Sequence, residues 1–65
     1  MKVKLIESDN HRYYGIETID FSTTFTIREG GISGKELNAA GAKSRRFYNH
    51  LPYYFLASEY EEVID

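Results

Sequence analysis

Ser33 follows Ile32 and stands three residues ahead of Glu36, and this spacing restricts the fold of the chain more than any other feature. A serine hydroxyl there can accept from the backbone N–H of the third residue on, while the glutamate reaches back to the serine N–H, a capping box that starts a helix. Ile32 and Leu37 supply the apolar staple across the start. Downstream, Leu37, Ala40, Gly41, Ser44, Phe47, Tyr48 and Leu51 recur at i, i+3, i+4, i+7, the stripe of an amphipathic helix. Pro52 stops it, because the residue before a proline is pushed out of helical geometry. The sequence therefore predicts one main helix over 33–51. Its weak point is Gly41, where it would kink or split, since glycine costs up to ~1 kcal/mol relative to alanine in a helix interior.

Ahead of this helix the period changes to two. In KVKLIE, residues 2–7, Val3 and Leu5 fall on one face and Lys2 and Lys4 on the other, as in a half-buried strand. Ser8, Asp9 and Asn10 carry turn chemistry. A second strand is expected over Arg12 to Ile19, with Gly15 marking a bulge or a close backbone approach. From Ile19 the odd positions read Ile19, Phe21, Thr23, Phe25 and Ile27 against Asp20, Ser22, Thr24, Thr26 and Arg28. This is either one long strand or a turn at Asp20 to Thr23 followed by a third strand; the turn is preferred, because three strands give a helix more sheet to cover. Gly30 and Gly31 are expected to end the sheet.

After Pro52, the residues Tyr53, Leu56, Ala57, Tyr60, Val63 and Ile64 gather on one arc of a second helix. The aromatic content of Tyr53 to Ala57 supports a competing strand. The expected fold class is α+β: a small antiparallel β-sheet of two or three strands within residues 2–28, covered by one main α-helix, 33–51, and followed by a short C-terminal helix or strand. The whole, 1–65, reads as a single small domain.

A chain of 65 residues has a core that is only marginally sufficient, and with no cysteine it cannot be stapled by disulfides. His11 and His50 are far apart and neither has a partner at metal-ligand spacing, so no metal or other cofactor is expected. Stability then rests on packing ten aromatics or on a second subunit, and a homo-oligomer is expected. The absence of cysteine fits a reducing compartment, no signal-peptide pattern follows Met1, and no apolar run is long enough to span a membrane; the expected location is the cytoplasm.

Three patterns suggest chemistry and fail on inspection. The stretch Gly30 to Lys35 resembles a phosphate loop, but Glu29 stands where its first glycine belongs and Glu36 follows the lysine. The acidic end, Glu59, Glu61, Glu62 and Asp65, lacks the spacing of a calcium cage. Ser8, Asp9, Asn10 and His11 sit together on a presumed turn with no pocket to close around a substrate. The chain is therefore read as no enzyme.

Charge is segregated along the chain. Residues 33–51 hold Lys35, Lys43, Arg45 and Arg46 against Glu36, net +3, whereas residues 52–65 hold only Glu59, Glu61, Glu62 and Asp65, net −4. On the predicted helix Lys35, Lys43, Arg46 and His50 share an arc of about 80°, opposite the apolar stripe. If the tail is helical, Phe55 falls opposite its apolar arc and Tyr54 lies off it, so both face water and suit the centre of a protein interface.

The leading expectation is a small regulatory interaction module that binds a protein partner, including itself, through Tyr54, Phe55, Glu59 and Glu62. The alternative is a nucleic-acid-binding accessory protein that uses Lys35, Lys43, Arg46 and His50 on the outer face of the helix. The overall charge of −2 weighs against the alternative.

Overall fold

The computed structural model describes residues 1–7, 15–43 and 46–64. Strand β1 (Lys2–Leu5) follows the predicted alternation: Val3 and Leu5 are buried and Lys2 is exposed. It is the middle strand of an antiparallel sheet, with β2 (Phe25–Thr26) on one side and β5 (Tyr60–Glu62) on the other. Val3 lies opposite both Phe25 and Glu62. A second antiparallel sheet pairs β3 (Gly31–Ser33) with β4 (Pro52–Tyr54), with Gly31 opposite Tyr54 and Ser33 opposite Pro52.

A two-residue hairpin joins the sheets. Arg28 and Gly31 exchange backbone hydrogen bonds of 3.0 and 2.8 Å, and the residues between them, Glu29 and Gly30, have φ of 53° and 80°. Positive φ at both central positions is the type I′ turn, whose twist matches that of its strands. Gly30 thus turns the chain, and Gly31, expected to end the sheet, opens β3.

The helix is where expectation and structure part. α1 spans only Gly34–Ala39, and among the described residues no helix reaches seven residues, so no main helix covers a sheet. Half of its start is as read: Ser33 is the N-cap and its Oγ accepts from the Glu36 N–H at 3.4 Å, but the Glu36 side chain does not complete the expected capping box. Its end is set by Gly41, which adopts φ 104°. The Gly41 N–H donates to the Asn38 carbonyl (3.1 Å) and the Ala42 N–H to the Leu37 carbonyl (3.2 Å), the paired bonds of a Schellman stop. The glycine that threatened a kink ends the helix outright. The apolar stripe breaks with it: Leu37 and Phe47 are buried, but Tyr48 and Leu51 are exposed, and Ser44 lies outside the described residues.

The tail is also extended rather than helical: β4, a single 3-10 turn over Ala57–Glu59, then β5. Leu56 and Ile64, assigned to the apolar arc of a tail helix, are exposed. The predicted strand over Arg12 to Ile19 is replaced, where it is described, by turns that begin at Gly15 (φ 80°). The turn at Asp20 is present: the Thr23 N–H donates to the Asp20 carbonyl at 3.0 Å, and Asp20 Oδ1 accepts from the N–H (2.9 Å) and hydroxyl (2.6 Å) of Ser22. These bonds from Ser22, its hydroxyl first, hold the Asp20 carboxyl below its ordinary range.

The protein is thus small and mostly strand. Its core is drawn from β1, β2, β3 and α1 and from the segments between elements: Val3, Leu5, Phe25, Ile27, Ile32, Leu37, Phe47 and Phe55, closed by Ile16 and Ile19 from the turns, with Tyr53 of β4 and Tyr60 of β5 partly buried against it. Among the described residues no helix is long and apolar enough to cross a membrane.

Candidate binding surface

The site is built on the extended run Pro52–Leu56. Tyr53 and Phe55 point inward. Phe55 is buried, and the Tyr53 ring meets Phe47 edge-on at 4.7 Å between centroids while its hydroxyl accepts from the Tyr48 N–H at 2.9 Å. Pro52, Tyr54 and Leu56 point outward and are exposed, Tyr54 at 65% and Leu56 at 67%. The run is therefore apolar on both faces. A strand of a one-sided sheet normally turns polar side chains to water, so the outer row is the unusual one.

Two glycines let this run lie where it does. A Cβ on Gly31 would stand 3.1 Å from the Tyr54 ring, so the ring covers bare backbone there, beside Pro52. A Cβ on Gly34 would stand 2.2 Å from the Tyr48 carbonyl oxygen, an approach that no side chain permits.

The backbone edge of the run offers little. Phe55 donates to the Gly30 carbonyl and Leu51 accepts from the Gly34 N–H, so residues 51, 53 and 55 face β3 and residues 52, 54 and 56 face away. Pro52 has no N–H, and the Leu56 N–H is held by Glu59 Oε1 at 2.7 Å. Of the three outward residues, Tyr54 alone keeps an N–H for an added strand among the described residues. Edges blunted in this way resist pairing with another chain, which leaves the side-chain face as the surface on offer.

Beside the row lies a cleft of about 390 Å³, lined among others by Thr26, Arg28, Ser33, Glu36, His50 and Pro52. Glu36 does not close the capping box. Its Oε1 accepts from the Thr26 N–H at 3.2 Å, tying α1 to β2. Ser33, His50 and Glu36 would suit a nucleophile, base and orienting carboxylate, but among the described residues no hydrogen bond joins their side chains; the serine oxygen accepts from the Glu36 backbone N–H, and the Glu36 carboxylate is on Thr26. Among the described residues no group of three or more histidines and carboxylates could hold a metal ion.

The residues expected at a protein interface do not share one surface. Tyr54 is exposed on β4, and Glu62 is exposed on β5 of the other sheet. Phe55 lies in the core because the tail is a strand and not a helix. Glu59 is buried at 5% exposure, one oxygen capping the 3-10 turn and Oε2 without a hydrogen-bond partner among the described residues. Of the basic set, Lys35, Lys43, Arg46 and His50 are all exposed, but the helical face that was to align them ends at Ala39. Lys35 sits in the first turn of α1. The Lys43 backbone N–H donates to Thr18 Oγ1 (2.9 Å), Arg46 precedes the Phe47 backbone that Asn38 holds, and the His50 ring lies 6.2 Å from that of Tyr48.

Leu51, Pro52 and Leu56 were missed as surface residues. The signal for Pro52 and Leu56 was the two-residue period of Pro52–Leu56, which a helical arc through the same apolar residues masked; Leu51 shares the phase of Tyr53 and Phe55, and no sequence signal marks its exposure. Comparison of the chain with protein-family models, with curated proteins and with solved structures finds no match in any of the three.

Proposed function

We propose that this protein is a non-enzymatic interaction module that works by protein–protein contact, and that the partner is a second copy of itself. The observation that carries the reading is the outward row Pro52, Tyr54 and Leu56, with Leu51 beside it, on a strand whose inner row already fills the core. Tyr54 alone, 65% exposed, leaves on the order of 130 Å² in water, taking ~200 Å² for a whole tyrosine. With its neighbours the patch reaches ~300–600 Å², the size of the largest apolar patch on a typical monomer, which is often functional. A chain of 65 residues without cysteine gains from covering it, because its own core is thin. The lack of cysteine also supports a reducing, intracellular setting.

Light scattering on a concentration series tests the reading. Over roughly 5–500 µM, a range suited to the weak affinity of a small interface, the mass should rise from 7.6 kDa towards twice that value, and Tyr54→Asp should stay at 7.6 kDa. A wild-type mass of 7.6 kDa throughout contradicts it. A mass that changes only when an oligonucleotide is added contradicts it in favour of nucleic-acid binding.

A further inference from the structure

We infer that the two copies interlock, with Tyr54 of each seated in the cleft of the other. The inference rests on the self-association proposed above and adds where the tyrosine goes.

Anchor and cleft lie side by side on one surface. Gly31 lines the cleft, and a Cβ on it would stand 3.1 Å from the Tyr54 ring, so the ring borders the cleft. Pro52 lines it as well, and belongs with Tyr54 to the outward row of β4. A two-fold dimer uses the same patch on both copies: where residue i of one touches j of the other, j touches i. An anchor next to a cleft meets that condition, because a two-fold axis midway between them carries each Tyr54 onto the cleft of the other copy.

The cleft suits a tyrosine in size and in chemistry. Its volume of about 390 Å³ lies within the ~300–1,000 Å³ of pockets that hold organic groups. Leu51 and Pro52 supply apolar surface for a ring, and Arg28, Ser33, Glu36 and His50 supply polar groups for a hydroxyl. Glu36 is the acceptor among them. Its Oε1 takes the Thr26 N–H, and its other oxygen has no partner among the described residues, Arg28 of the same cleft included. A hydroxyl donating to a carboxylate makes a charge-assisted bond, stronger than a neutral one. Stacking Tyr54 on its own twin across the axis would leave both clefts empty and both carboxylates without that donor. Aromatic anchors set in pockets carry most of the energy of protein interfaces, which favours the seated arrangement.

An isotope-filtered NOE measurement on mixed labelled and unlabelled wild type, at a concentration where the mass exceeds 7.6 kDa, tests the seating. Tyr54 ring protons of one copy should meet Ser33, His50 and Leu51 of the other. In parallel, Tyr54→Phe should weaken association about tenfold or more, the loss expected when a hydrogen bond to a charged group is removed. Contact between plain apolar faces would instead leave that variant as tight as wild type or tighter. Intermolecular contacts only between the two Tyr54 rings, or undiminished association of Tyr54→Phe, overturn the seating alone. A wild type of 7.6 kDa at every concentration overturns the self-association reading along with it.

Discussion

Strand β1 and the run Pro52–Leu56 both send alternate side chains into one core, but they differ in what they send the other way. β1 turns lysines outward. Lys2 Nζ donates to Thr26 Oγ1 at 2.9 Å, and Lys4 lies opposite Glu61. A slip of one residue would bury those lysines, so the charges fix both face and register. Pro52–Leu56 has apolar residues on both sides, and a slip would exchange one apolar row for another. Its register has to come from fit instead, through the bare backbone of Gly31 under Tyr54, the close approach of Gly34 to Tyr48, and the Tyr53 hydroxyl on the Tyr48 N–H. The strand that turns charge to water has its face and register fixed by that charge; the strand that leaves an apolar row in water is positioned by glycines and remains available for contact.

The largest expected effect separates the two rows of the second strand. Phe55→Ala should cost about 3–5 kcal/mol, the usual loss for a buried phenylalanine, and unfold much of the population. Tyr54→Ala, one residue away, should cost under ~1 kcal/mol of folding stability while abolishing self-association. Urea unfolding of both variants at low concentration checks this, and equal losses would erase the distinction between rows. Next, Gly34→Ala should cost about 1–3 kcal/mol by forcing the Tyr48 backbone away. A fall in the thermal midpoint together with altered near-ultraviolet dichroism from the tyrosines would show it.

On β1 the outward row is expected to be nearly silent in stability. Lys4→Ala should stay within about 0.5 kcal/mol and leave the association constant unchanged. The smallest effect lies outside both strands. The carboxyl of Asp20 is held below its ordinary value of 3.8 by Ser22, so its charged form favours the fold. That contribution is present above the unfolded value and is lost as pH falls through the folded one. An NMR titration should find Asp20 below 3.8, and Ser22→Ala should bring it back up.

How much of this was legible follows the same contrast. Lys2–Leu5, the turn at Asp20 and the Ser33 cap could be read because polar and apolar residues there differ in kind. Burial also follows the alternation from Ile19 to Arg28, although only Phe25 and Thr26 pair in a ladder. The helix was read twelve residues too long, to Leu51 instead of Ala39, because Phe47 and Leu51 continued its period by coincidence while Gly41 had already stopped it. The tail was illegible for a related reason. Its residues are apolar at both two-residue and helical spacing, so the pattern supports either form, and the pairing of β5 with a strand more than fifty residues earlier decides it. For the site, the exposure of Tyr54 and Phe55 was inferred from a tail helix that does not form; the extended chain leaves Tyr54 in water for a different reason, its place in the outward row, and buries Phe55, while Glu59 is buried by the 3-10 turn it caps.

A dilution series followed by amide chemical shifts tests the central claim most directly, since it reads both strands in one sample. The account predicts concentration-dependent shifts at Gly31, Ser33, Tyr54 and Leu56, with Lys2–Leu5 unmoved. Shifts confined to β1 and β5, or none at any concentration, would contradict it.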